Sequence, residues 1–179
     1  MNLMFAPLKR YVDFQGRSRR TEYWLWFLFQ VIVSIIFGIA KSTAGAGSAD
    51  VIKLVNGIFS LAIFLPTLAV GVRRLHDTNR TGWWIVFPVV VMIVGFIAYL
   101  ATAGSAGVAN LQKLGELESG STPQQVMDAF SNLSSMLWVF VAYVAAALLL
   151  LVFDVLDGTP GVNRFGPDPK GRGGNINVF

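Results

Sequence analysis

Long uncharged apolar runs alternate with short polar islands along this chain. Four runs stand out, at 23–40, 54–72, 83–103 and 136–153, with 18, 19, 21 and 18 residues. A helix rises about 1.5 Å per residue, so even the shortest run extends roughly 27 Å, enough to cross the hydrocarbon layer. The pattern predicts an all-α integral membrane protein with four transmembrane helices, arranged as two helical hairpins within 23–153. Before them lies a segment at 1–22, where Leu3, Met4, Phe5, Leu8, Tyr11, Val12 and Phe14 interleave with Lys9, Arg10 and Asp13. That two-sided pattern suits a short interfacial segment lying in the head-group layer. After them lies a tail at 154–179.

The connections read differently from one another. Residues 41–53 are rich in Gly, Ala and Ser and predict an exposed loop. Residues 104–135 form the longest connection, an external loop in which Thr122-Pro123-Gln124-Gln125 has the form of a capping box with proline at the first helical position, so a helix is expected to start there. Between the second and third runs sits the most polar island, Arg73-Arg74-Leu75-His76-Asp77-Thr78-Asn79-Arg80-Thr81-Gly82, which contains the single histidine of the chain. Pro66 inside the second run removes a helical N–H and frees a carbonyl. Glycine and proline make the tail irregular, with 171–179 expected to be disordered.

Composition narrows the class. With 54% hydrophobic and 13% charged residues, an ordinary soluble domain is excluded. The absence of cysteine removes disulfides, thiolate metal sites, thiol nucleophiles and palmitoyl anchors. No cleavable signal pattern precedes the first run, which is expected to stay as an anchor. A formal charge of +4 raises nucleic acid as a partner, but the basic residues stand beside apolar spans, so anionic membrane lipids are the expected partner and nucleic acid is not. A homo-oligomer or a membrane-protein partner stays open.

Lysine and arginine also set an orientation. With four spans, the N-terminal segment, the 73–82 island and the tail share one side and hold eleven basic residues, including every arginine, against Lys41, Lys53 and Lys113 opposite. The positive-inside rule then puts both termini in the cytoplasm of a multi-pass protein. Tyr23, Trp24, Trp83 and Trp84 mark span entries and read as interfacial anchors.

Three signatures lie on that cytoplasmic side. They are Phe14-x-Gly16-Arg17-x-Arg19-Arg20-x-Glu22-Tyr23-Trp24; Pro66 followed by Arg73-Arg74-Leu75-His76-Asp77-x-x-Arg80-x-Gly82-Trp83-Trp84; and Gly161-x-Asn163-Arg164-Phe165-Gly166-Pro167-x-Pro169. In combination they resemble the small bacterial inner-membrane proteins catalogued as domain of unknown function 805. The resemblance covers nearly the whole chain and implies a bacterial inner membrane and four helices; it implies no reaction. Asn79 and Thr81 stand where the family usually has glycine or a serine-glycine pair.

Guanidinium grips phosphate bidentately. Arg17, Arg19, Arg20, Arg73, Arg74, Arg80 and Arg164, with His76 and Asp77, are therefore the candidate ligand-binding set for a phosphate or anionic head group. The competing reading is that these arginines anchor helix ends and pair with carboxylates. His76 beside Asp77 also suits acid–base chemistry, which makes a membrane enzyme acting on a phosphorylated lipid the alternative to a non-enzymatic binding module. With one histidine and no cysteine, no metal site or cofactor is expected, although Asp77, Asp154 and Asp157 are possible Mg²⁺ ligands. Serine-hydrolase and phosphate-loop patterns do not occur. The spans carry no ionisable residue at mid-depth, which disfavours a channel or transporter, and Gln30, Ser34, Asn56 and Ser60 read as helix-packing groups.

Overall fold

A computed structural model describes residues 3–115, 122–124, 126–127 and 134–172. Every regular element among them is helical. A 3-10 turn at Leu3–Phe5 runs into α1 (Ala6–Lys9), followed by α2 (Arg20–Thr43), α3 (Ala46–Asp77), a 3-10 turn at Gly82–Ile85, α4 (Phe87–Gly115) and α5 (Ser134–Val155). Three helical stretches are long and apolar enough to cross a membrane, Arg20–Thr43, Gly47–Asp77 and Met136–Val155, and α4 contributes a shorter apolar stretch, Phe87–Ala101. The chain divides into two compact units: Met1–Ile85 with Phe153–Phe179, and Val86–Val152.

In the first unit α2 and α3 form a tight hairpin. The expected loop at 41–53 shrinks to Ala44 and Gly45, because the alanine-rich flanks extend both helices. The Ser42 and Thr43 hydroxyls donate back to the Ile39 carbonyl at 2.9 and 3.0 Å, and the Ala44 amide closes the last turn on Ala40. Trp26 is buried between the two helices and its indole N–H donates to Thr67 Oγ1 at 3.0 Å. Phe59 packs against Phe37 and Phe29. The faces turned outward carry Ile35, Ile36, Ile39, Leu54 and Leu61, the surface that lipid tails would cover.

Pro66 lies inside α3, and the carbonyl that it leaves without an intrahelical donor is that of Ala62, four residues back. The Tyr11 hydroxyl donates to that oxygen. Together with the edge-on contact of Phe5 with Phe29, ring centroids 5.5 Å apart, this seats the N-terminal segment against α2 and α3. It has a packed side as well as the apolar outward side that Leu8 and Val12 present.

Asn79 ends α3. Its φ of 59° is left-handed, and the amides of Asn79 and Arg80 donate to the carbonyls of His76 and Leu75, both at 3.0 Å. This is a Schellman ending with asparagine where glycine is commonest.

The second unit brings α4 and α5 into close contact, since a Cβ on Gly95 would stand 2.8 Å from Val139 Cγ1. Pro88, Tyr99, Val139 and Ala146 are buried among its described residues. The long connection starts later than expected, because α4 continues to Gly115 and takes 104–115 into the helix. Pro123, Gln124, Val126 and Met127 are helical and the Val126 amide donates to the Thr122 carbonyl at 3.1 Å, in line with a helix start at Thr122. Residues 116–121, 125 and 128–133 lie outside the described residues, as do 173–179 of the tail. Gly171 and Arg172, expected to be disordered, are held in place.

Candidate functional site: an arginine clasp

The three sequence signatures meet in the first unit, at the ends of α2, α3 and α5. At the centre is the Asp77 carboxylate, 1% exposed. Its Oδ1 accepts from Arg17 Nε at 2.9 Å, and its Oδ2 accepts from Arg74 Nη1 at 2.8 Å. Two guanidinium groups thus share one buried carboxylate, and their remaining N–H groups turn to backbone carbonyls. Arg17 Nη1 donates to Gly161 O at 2.7 Å and Nη2 to Thr159 O; Arg74 Nε donates to Asp154 O at 3.1 Å and Nη2 to Leu156 O. The tail answers with the Thr159 amide on Asp77 O at 2.9 Å. Gly158 has to be glycine, since a Cβ there would stand 2.0 Å from Asp77 Oδ2.

Arg73 faces the other way. It is fully buried, with Nη1 donating to the Arg10 and Asp13 carbonyls and Nη2 standing 3.5 Å from Glu22 Oε1. The Ser18 amide returns a bond to Arg73 O at 3.0 Å. Arg73 Nε and Ser18 Oγ are buried without a protein partner among the described residues. Arg73 therefore ties the N-terminal segment to α3, while Arg17 and Arg74 tie α3 to the tail.

His76 is held on two sides. Its Nδ1 lies 3.1 Å from the Gly16 carbonyl, which can only accept, so Nδ1 carries the proton. Its ring stacks on Phe165 at 3.8 Å with a 3° interplanar angle, and Asn163 Nδ2 donates to its carbonyl at 3.0 Å. Arg164 covers Phe165 at 4.7 Å and donates to Asn79 O at 2.9 Å. Arg80 lies 3.9 Å over the Phe153 ring, which Trp84 meets edge-on at 5.2 Å.

The candidate set divides. Arg17, Arg73, Arg74 and Asp77 are inside; Arg80 and His76 are partly covered; Arg19 and Arg164 are exposed. Arg20 is half-buried, with Nη1 on Val155 O at 3.2 Å and Nε 3.7 Å from Asp157. Of the aromatic anchors, Trp83 is the most open, at 80% exposure, and Tyr23 is half-buried. Among the described residues no group of three or more His, Asp or Glu is placed to hold a metal ion.

A lock in the tail had no forerunner in the sequence reading. Asp157 accepts from Arg172 Nη1 at 2.7 Å and from Lys170 Nζ, and Asp168 accepts from Arg172 Nε at 2.8 Å. Lys170, then Arg172, hold the Asp157 carboxyl below the usual carboxylate range. For Asp168 burial pushes upward, but Arg172 and the Lys170 amide outweigh it and leave it lowered too. The only sequence signal was the recurrence of acid and base across 157–172.

Residues 11–113 match the family model described as "Protein of unknown function (DUF805)". The chain belongs to that family. It is 30% identical over 170 residues to inner membrane protein YhaH of Escherichia coli K12, covering 95% of this chain and 98% of that one. It is 31% identical to inner membrane protein YhaI of the same strain, covering 95% and 97%. A shorter likeness, 30% over 84 residues, joins it to the uncharacterized protein YiiR. No solved structure matches. The protein is thus one of a bacterial inner-membrane family of unknown function.

Proposed function

We propose that this chain is a non-enzymatic inner-membrane module of four spans, with both termini in the cytoplasm, whose arginine-rich cap binds anionic lipid head groups. The observation that carries the reading is the division of labour among the cations. Arg17, Arg73 and Arg74 are turned inward to Asp77, Glu22 and backbone carbonyls, which leaves Lys9, Arg19 and Arg164 as exposed cations. The same three signatures also present Trp83 and Val162, about four-fifths exposed. Outward lysine and arginine beside exposed apolar groups suit a negatively charged leaflet, where each basic residue is worth about 1 kcal/mol. That every arginine of the chain falls on that side supports the orientation.

The enzyme reading, with His76 as acid–base, gains little from the geometry. Its Nδ1 is committed to Gly16 O and one ring face is covered by Phe165.

Native mass spectrometry of the protein released from its own membrane tests the proposal. The wild type is expected to retain phosphatidylglycerol or cardiolipin, and the Lys9→Ala/Arg19→Ala/Arg164→Ala variant to lose it while keeping its unfolding temperature. Full retention of the lipid by that variant would overturn the reading. Retention of a cytoplasmic protein in place of lipid would assign the cap to protein recognition.

A further inference from the structure

Level with the membrane core, α2 and α3 leave a half-open groove of about 230 Å³, lined by Gln30, Ser34, Asn56, Phe59, Ser60, Ile63, Phe64 and Thr67. Its polar members fall in register. Trp26, Gln30 and Ser34 recur every four residues on α2, and Asn56, Ser60, Ile63 and Thr67 follow a three-or-four spacing on α3, so each set shares one helix face. Thr67 is satisfied, accepting from Trp26 and donating to Ile63 O at 2.7 Å. The side chains of Gln30, Ser34, Asn56 and Ser60 make no hydrogen bond among the described residues, and Ser34, Asn56 and Ser60 are exposed.

Lipid tails offer these groups neither donor nor acceptor. The groove contains no charge, so an ionised head group has nothing to pair with there. What the four side chains have in common is that each both donates and accepts. Such a surface is complementary to itself. Counting along the helices from the Glu22–Arg73 pair, Ser34 lies about 18 Å and Ser60 about 20 Å into the membrane. A second copy in the same orientation, turned about a two-fold axis along the membrane normal, sets its α3 opposite the first copy's α2 at matching depth.

We propose that this groove is the contact surface of a homodimer, in which Ser34 of one copy hydrogen-bonds with Ser60 of the other, and Gln30 and Asn56 border that contact one helical turn to either side. Each contact occurs twice by symmetry, and uncharged polar pairs between membrane helices act as association glue.

The chain's lack of cysteine makes the test direct. Full-length Ser34→Cys and Ser60→Cys chains carrying different tags are co-expressed and oxidised with copper phenanthroline in native membranes. The expected result is a disulfide-linked dimer bearing both tags, reduced about tenfold when Gln30→Leu and Asn56→Leu are added to both chains. Leucine keeps the helices apolar, so insertion is preserved, and membrane levels of each chain are read from the tags. Three results would overturn the proposal: no dimer bearing both tags, a dimer that ignores the leucine substitutions, or equal cross-linking from Leu148→Cys on α5. Cross-linking to a different protein alone would overturn the second copy as the occupant.

Discussion

The cap and the groove are both polar, and both are built on α2 and α3, yet they treat polarity in opposite ways. In the cap the buried charges find partners from distant parts of the chain: Arg17 and Arg74 close on Asp77, and Arg73 closes on Glu22 and two carbonyls. In the groove four neutral groups have no hydrogen-bond partner among the described residues. Where the chain can satisfy a polar group itself, that group organises the fold; where it leaves one open to lipid, the group points to something outside the chain.

The comparison can be broken hardest at Asp77. Asp77→Ala leaves two buried guanidinium groups facing each other, and breaking a buried pair of this kind costs about 3–5 kcal/mol. Thermal unfolding in detergent is expected to register it, whereas the Gln30→Leu/Asn56→Leu variant leaves the unfolding temperature of the isolated chain almost unchanged. A smaller loss is expected at the junction between the two regions. Tyr11→Phe removes the donor to the Ala62 carbonyl that Pro66 frees, an unsatisfied group worth about 1–3 kcal/mol, and amide exchange near Ala62 and Pro66 should rise with it.

Below that comes Asn79. At φ 59° a substitution to alanine is strained by about 1–2 kcal/mol, while Asn79→Gly, the residue commonest at such a helix ending, is expected to be neutral or slightly stabilising. Equal destabilisation by both would contradict the left-handed ending. The smallest effect belongs to the tail lock. Because Lys170 and Arg172 lower the Asp157 carboxyl, and Asp168 is lowered too, the lock contributes its full stability above the ordinary carboxylate value of 3.8 and loses it only as pH falls below that. Corrected amide exchange at Gly161, whose N–H donates to Arg172 O, should therefore stay flat from pH 8 to 5. A loss of protection within that window would contradict the assignment.

Much of this was legible in the chain, and the reasons differ by residue. The apolar runs announced the membrane because hydropathy acts over a whole segment. Residues 41–53 misled because glycine and serine, which weaken helices in water, stand there among alanines, the strongest helix formers, and both helices run on until only Ala44 and Gly45 remain as the link. Pro66 announced a free carbonyl, but nothing in the sequence pointed to Tyr11 as its donor. Arg17 and Arg19 are alike in pattern, and only the folded chain separates them, since Arg17 meets Asp77 sixty residues on while Arg19 stays outside. Lys170 and Arg172 looked like scattered tail charges because their partners at 157 and 168 are fixed by turns that glycine and proline encode weakly.

The central claim is that the inward arginines hold the cap together, and a double-mutant cycle on Arg17 and Asp77 tests it most directly. Thermal unfolding is measured for Arg17→Ala, Asp77→Ala and the pair. Each single change is expected to destabilise strongly and the pair little more than either alone, giving a coupling of about 3 kcal/mol, the upper end for residues in contact. Additive losses, or wild-type stability in both single variants, would contradict the clasp and return Arg17 to the set of groups free to hold a ligand.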